Sequence, residues 1–185
     1  MLRTLWFLIE TLGSLLVSAC ALRALAWRVQ LSARNPITQF LVAATDWIVK
    51  PLRRVVPASR TTDWASIGAA VLIALVLAIV WTIIFAGSRT PAFGGVLLLA
   101  LFWVLKWSLY LLIAMVILQA VLSWVNPDAP IAPALDLLTR PFLAPLRRMV
   151  PLVGGVDLSP LVVIILAQLL LSALESLFVS LVAIP

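Results

Sequence analysis

The chain has 185 residues, 64% of them apolar and 11% charged, with a mean hydropathy of +1.21. Thirteen basic and seven acidic side chains cannot cover a water-facing surface, so a soluble enzyme, a secreted disulfide scaffold and a disordered tail are excluded. With one cysteine (Cys20) and no histidine, an internal disulfide and a Cys/His metal site are excluded too.

What remains is an integral membrane protein. The net charge of +6 belongs to short basic clusters beside apolar spans, which suits membrane orientation and anionic headgroups rather than nucleic acid. In chain order, a first span is expected at about residues 5–27, with Glu10 and Arg23 inside it. Val17-Ser18-Ala19-Cys20 resembles a lipoprotein cleavage box. Glu10 interrupts the would-be signal core and no soluble domain follows, so Cys20 reads as a small packing residue. A polar connection at 28–63 follows. Within it Asn35-Pro36 gives an N-cap and first helical position. Ile37, Phe40, Leu41, Ala44 and Ile48 fall on one helical face, and Pro51 is expected to stop that helix near Lys50.

The second span is expected at about 64–86 and the third at about 93–124, long enough to tilt. A second connection at 126–157 repeats the apolar stripe in Ile131, Leu135, Leu138 and Phe142, with Pro133 and Pro141 expected to shorten its helix. Both connection helices read as interfacial, lying on the leaflet or under the bundle. The fourth span is expected at about 158–183. The fold class is therefore all-α, with four transmembrane helices.

Nine Lys/Arg lie in the two connections, against Arg3 and Arg89 on the opposite face. The positive-inside rule places the connections in the cytoplasm and both termini outside. Trp27, Trp64 and Trp124 then mark the inner interface, and Trp6 and Trp81 the outer one. Glu10, Lys106 and Glu175 each fall about 26 Å from the cytoplasmic boundary at 1.5 Å per residue. At that depth Lys106 can bridge Glu10 or Glu175 as a structural pair. The alternative is ion coordination by the two carboxylates.

Shifting the chain by 94 residues aligns Pro36–Ser66 with Pro130–Pro160, with eleven identities in 31 positions. Pro-Leu-Arg-Arg-x-Val-Pro recurs, each time with an Asp six residues on (Asp63, Asp157). The chain thus reads as two parallel repeats, 1–88 and 89–185, each a span, a cytoplasmic connection and a span, rather than an inverted duplication. Arg53, Arg54, Arg147 and Arg148 have two readings, as anchors to lipid phosphates or as docking forks for a partner's carboxylates or phosphates. Asp63 and Asp157 read as helix caps that can pair with the adjacent arginines.

At these residues the sequence resembles the YggT family of integral membrane proteins, which includes a chloroplast cytochrome b6 cofactor-assembly branch. The first copy supplies Asn35-Pro36, Thr45, Pro51, Leu52, Arg53, Arg54, Pro57 and Asp63. The second supplies Thr139, Pro145, Leu146, Arg147, Arg148, Pro151, Gly154, Gly155, Asp157, Leu158, Ser159 and Pro160. The first departs from the pattern after Pro57, where Ala58–Thr62 replace the Gly-Gly segment, and the second departs at Ala129. The resemblance implies links to osmotic-stress tolerance and ion homeostasis, to cell division, or to haem attachment in the photosynthetic branch. It brings no catalytic residue set.

The expected function is a non-enzymatic membrane scaffold or assembly factor that meets anionic lipid or a membrane or cytoplasmic protein through the arginine turns. The alternative is a potassium or osmolyte pathway formed by an oligomer, since Ser14, Ser18 and Gln168 offer too little polarity for a pore in one protomer. Ala69-Ala70, Ala74 and Ala78 permit close helix packing within a bundle or between copies. No cofactor is expected: for haem only Met115, Met149 or Tyr110 could serve as ligand. No nucleophile–base pair is visible.

Overall fold

A computed structural model describes residues 1–85, 93–149 and 157–182. Among them there are six helices and no strand: α1 (Leu2–Arg28), α2 (Pro36–Val55), α3 (Trp64–Phe85), α4 (Phe93–Val125), α5 (Ala132–Arg147) and α6 (Ser159–Val182). The order long, short, long occurs twice. α1, α3, α4 and α6 are long and apolar enough to cross a membrane. The 33 residues of α4 reach about 50 Å at 1.5 Å per residue, well beyond a hydrocarbon core of about 30 Å.

α1, α3 and α4 pack against one another, and α6 lies on α4 and α5. α3 fits because its inward face is small: Ala65, Ala69, Ala74 and Ala78 are fully buried, which lets the backbones approach. Gly13 on α1 is part of the same fit, since a Cβ there would collide with the δ-methyls of Leu77. Cys20 is fully buried in this core as a free thiol. Trp6, Trp103 and Trp107 close its far end, Trp6 lying 6.1 Å from Trp103.

The two short helices cover the other end. α2 starts at an Asn35 cap whose side chain accepts the Ile37 amide at 2.9 Å. It buries Leu41, Thr45 and Val49, one residue per turn. Phe40, expected on the inward stripe, is 68% exposed instead, because the line that touches the bundle is narrower than the apolar face. Leu41 of α2 meets Ala26, Met115, Leu135 and Leu138, so both short helices share one apolar cluster beneath α1 and α4.

The prolines act differently from expectation. α2 does not stop near Lys50 but runs through Pro51 to Val55. α5 likewise continues through Pro141 and Pro145 to Arg147, while Pro133 falls in its first turn, where no N–H is needed. An internal proline removes one backbone hydrogen bond and crowds the preceding turn. Tertiary anchors hold the last turns in spite of that. Leu52 packs on the main core, Leu143 is fully buried, and Arg53 and Arg147 are each tied to an aspartate.

Candidate functional site

The paired arginines lie in the last turn of α2 and at the end of α5, not in a free loop. Arg53 donates from Nη2 to Asp63 Oδ2 at 2.6 Å. Asp63 immediately precedes α3, is fully buried, and accepts the Ser66 hydroxyl at 2.6 Å. Burial pushes its carboxyl up, but the bonds from Arg53 and Ser66 outweigh that and hold it below the usual carboxylate range. The Trp27 ring lies 5.1 Å from the Arg53 guanidinium, and its Nε1 donates to the Ser59 carbonyl at 3.0 Å. Asp63 is therefore sealed beneath Arg53 and Trp27, which are themselves 33% and 39% exposed.

In the second half Arg147 donates from Nε to Asp157 Oδ2 at 2.9 Å, and its Nη1 lies 3.5 Å from Asp136 Oδ1. Asp157 also accepts the Ser159 amide at 2.9 Å, capping α6. Burial again raises its carboxyl, and Ser159 and Arg147 again bring it below the usual range. This unit is open: the Arg147 and Asp157 side chains are 41% and 33% exposed. They border a cleft of about 730 Å³ between α4, α5 and α6. Its walls are apolar, including Ile117, Val121, Leu161 and Ile165, and Gln119, Asp136, Arg147 and Asp157 supply polar groups.

Arg54 and Arg148 are exposed and belong to no ion pair among the described residues. Lys106 pairs with Glu175 at 2.8 Å, and its ammonium lies 5.6 Å from the Phe102 ring. Of the two partners open to Lys106, the structure brings in Glu175. Glu10 is half-buried and forms no ion pair among the described residues. The expected Gly154-Gly155 segment and Pro151 lie outside the described residues.

Sequence reasoning missed a polar clip that ties each short helix to the span before it. Arg23, buried in α1, donates to Thr45 Oγ1 at 2.7 Å and Asp46 Oδ1 at 2.9 Å. In the second half Thr139 donates to Gln119 Oε1, and Gln119 donates to Asp136 at 3.0 Å. Thr45 also donates to the Leu41 carbonyl four residues back, and the Leu135 carbonyl lies 2.8 Å from Thr139 Oγ1 as another acceptor for its single proton. The available signal was the identity of Thr45 with Thr139, together with an arginine otherwise stranded in an apolar span.

An all-helical chain with four such apolar helices is a multi-pass membrane protein. A family model described as CCB3/YggT matches residues 2–84 and 98–178, and the chain belongs to that family. It is similar to the uncharacterized protein YggT of Escherichia coli K12, 34% identical over 167 residues, covering 89% of this chain and 86% of that one. An uncharacterized protein in the proC 3′ region of Vibrio alginolyticus is 34% identical over 160 residues, 86% of each chain. Uncharacterized protein PA0392 of Pseudomonas aeruginosa is 31% identical over 161 residues, 84% of this chain and 80% of that one. No solved structure matches.

Proposed function

We propose that this protein is a non-enzymatic scaffold of the bacterial cytoplasmic membrane that presents Arg54 and Arg148 on its cytoplasmic face to an anionic partner. The observation that carries this reading is a division of labour within each Arg-Arg pair. The first arginine is committed to the aspartate that precedes the next span, and the second is left exposed at the end of its helix. A guanidinium held at the end of an ordered helix can meet carboxylates or phosphates bidentately with little loss of its own freedom. The excess of Lys/Arg in the two connections supports a cytoplasmic side for them and an outer side for both termini. The process served, by family resemblance, is osmotic-stress tolerance or an envelope or division function.

Photo-crosslinking amino acids placed at Val55 and Met149, each next to a free arginine, test the reading in cells. A discrete protein or lipid adduct that disappears in the Arg54→Ala/Arg148→Ala double variant is expected. An adduct pattern unchanged by that variant contradicts docking through these side chains.

One observation favours a second reading, an ion or osmolyte pathway formed by several copies. Gln168, Ser172 and Ser176 lie on successive turns of α6 and are exposed in a helix apolar enough to span a membrane. Polar side chains at that depth favour partner helices over lipid. Saturable potassium flux into sealed liposomes, lost on Gln168→Leu, supports this pathway; no flux at high protein density rejects it.

A further inference from the structure

The two halves treat the same space differently. In the first, the Trp27 indole lies against Arg53, its N–H is taken by the Ser59 carbonyl, and Asp63 is sealed from solvent. In the second, the position corresponding to Trp27 is Val121, 46% exposed on the cleft wall, and Trp124, 74% exposed, stands at the rim. The Arg–Asp unit is kept, no indole lies against its arginine among the described residues, and a cleft of about 730 Å³ borders it. That volume falls within the range of pockets that hold small ligands, about 300–1,000 Å³.

We propose that the α4–α5–α6 cleft binds one phospholipid carrying a primary ammonium headgroup, of the phosphatidylethanolamine kind. Three features select this occupant. The cleft lies where α4 ends and α6 begins, at the level of a span that meets the headgroup layer. Its walls, Ile117, Val121, Leu161 and Ile165, are suited to acyl chains. Its charged groups are two carboxylates, Asp136 and Asp157, sharing one arginine, so the ammonium end of a zwitterionic headgroup finds the acceptors that Arg147 alone leaves underused.

The hydrogen-bonding inventory sharpens the choice. Arg147 gives Nε to Asp157 and faces Asp136 with Nη1, which leaves Nη2 for a phosphate oxygen. A primary ammonium brings three N–H donors to the two carboxylates. A quaternary choline brings none, and a glycerol headgroup brings no positive charge. The site lies on Arg147 and the acids and does not require Arg54 or Arg148, so it stands or falls separately from partner docking.

Native mass spectrometry of the full-length protein released from detergent, titrated with phosphatidylethanolamine, phosphatidylcholine and phosphatidylglycerol, tests the proposal. One ethanolamine lipid should be retained at least about tenfold more strongly than the other two. Val121→Trp, which restores the indole of the first half, should remove that adduct. Asp136→Asn, which removes the charge at a half-exposed position and keeps an amide oxygen to accept from Gln119, should level the three lipids. Equal retention of all three by the wild-type chain overturns the proposal. So does a Val121→Trp protein of native helicity that keeps the ethanolamine adduct.

Discussion

Asp63 and Asp157 occupy corresponding positions and make the same bond to an arginine, yet their surroundings assign them different weights. Asp63 is fully buried and Arg53 beside it is 33% exposed, so removing the carboxylate costs less than the roughly 3–5 kcal/mol of a pair buried on both sides but more than a surface pair. The Asp157 pair is open, and exposed pairs contribute about 0–1 kcal/mol. Asp63→Asn should therefore lower the thermal midpoint in detergent clearly, and Asp157→Asn only slightly; equal losses would contradict the contrast. The pH response follows from the same carboxyl. Its folded pKa is depressed, so its contribution is complete above the unfolded carboxylate value of about 3.9 and is lost as pH falls through the lower folded value. Stability should be flat toward neutral pH and fall on the acid side of about pH 4, with a shallower fall in Asp63→Asn. That Asp63 and Asp157 can pair with the neighbouring arginines was legible in the sequence, because the Asp recurs six residues after the last Pro of each motif, but which arginine of each pair is taken was not. Arg23 to Thr45 was not, because it joins groups 22 residues apart on two helices and only packing brings them together.

At the scale of elements, hydropathy and length were enough to place the four long helices within a few residues of their observed ends. The short helices were harder to read. Pro51, Pro141 and Pro145 are local stop signals that tertiary anchors override. Phe40 shows the converse error, since an apolar face need not all be turned inward. α1 and α3 approach closely at Gly13, where Leu77 fills the space a side chain would need. Gly13→Ala must displace the Leu77 side chain, so overpacking of about 1–3 kcal/mol offsets or exceeds the roughly 1 kcal/mol gained in helix propensity. Gly94→Ala, where a Cβ meets nothing within 4 Å, should keep the propensity gain, so Gly13→Ala should be the less stable of the two. Chemical denaturation of the two variants in mixed micelles checks this. A Gly13→Ala protein as stable as Gly94→Ala would mean that α1 and α3 have room to separate.

At the scale of the whole molecule, two similar halves are not equivalent. α1 and α3 are built into a core with α4, whereas α6 sits on α4 and α5 with most of its surface free. The first half is closed around Trp27 and the second has a cleft, a difference invisible in aligned motifs because it depends on which side chains fill a shared space. The central claim is that each Arg-Arg pair divides into a structural and a docking member. The most direct test is the thermal unfolding midpoint of two double variants, Arg53→Ala/Arg147→Ala and Arg54→Ala/Arg148→Ala, measured in the same detergent. The first should unfold at a clearly lower temperature and the second at the wild-type temperature. A second variant destabilised as much as the first would contradict the account, since Arg54 and Arg148 would then be holding the fold rather than facing a partner.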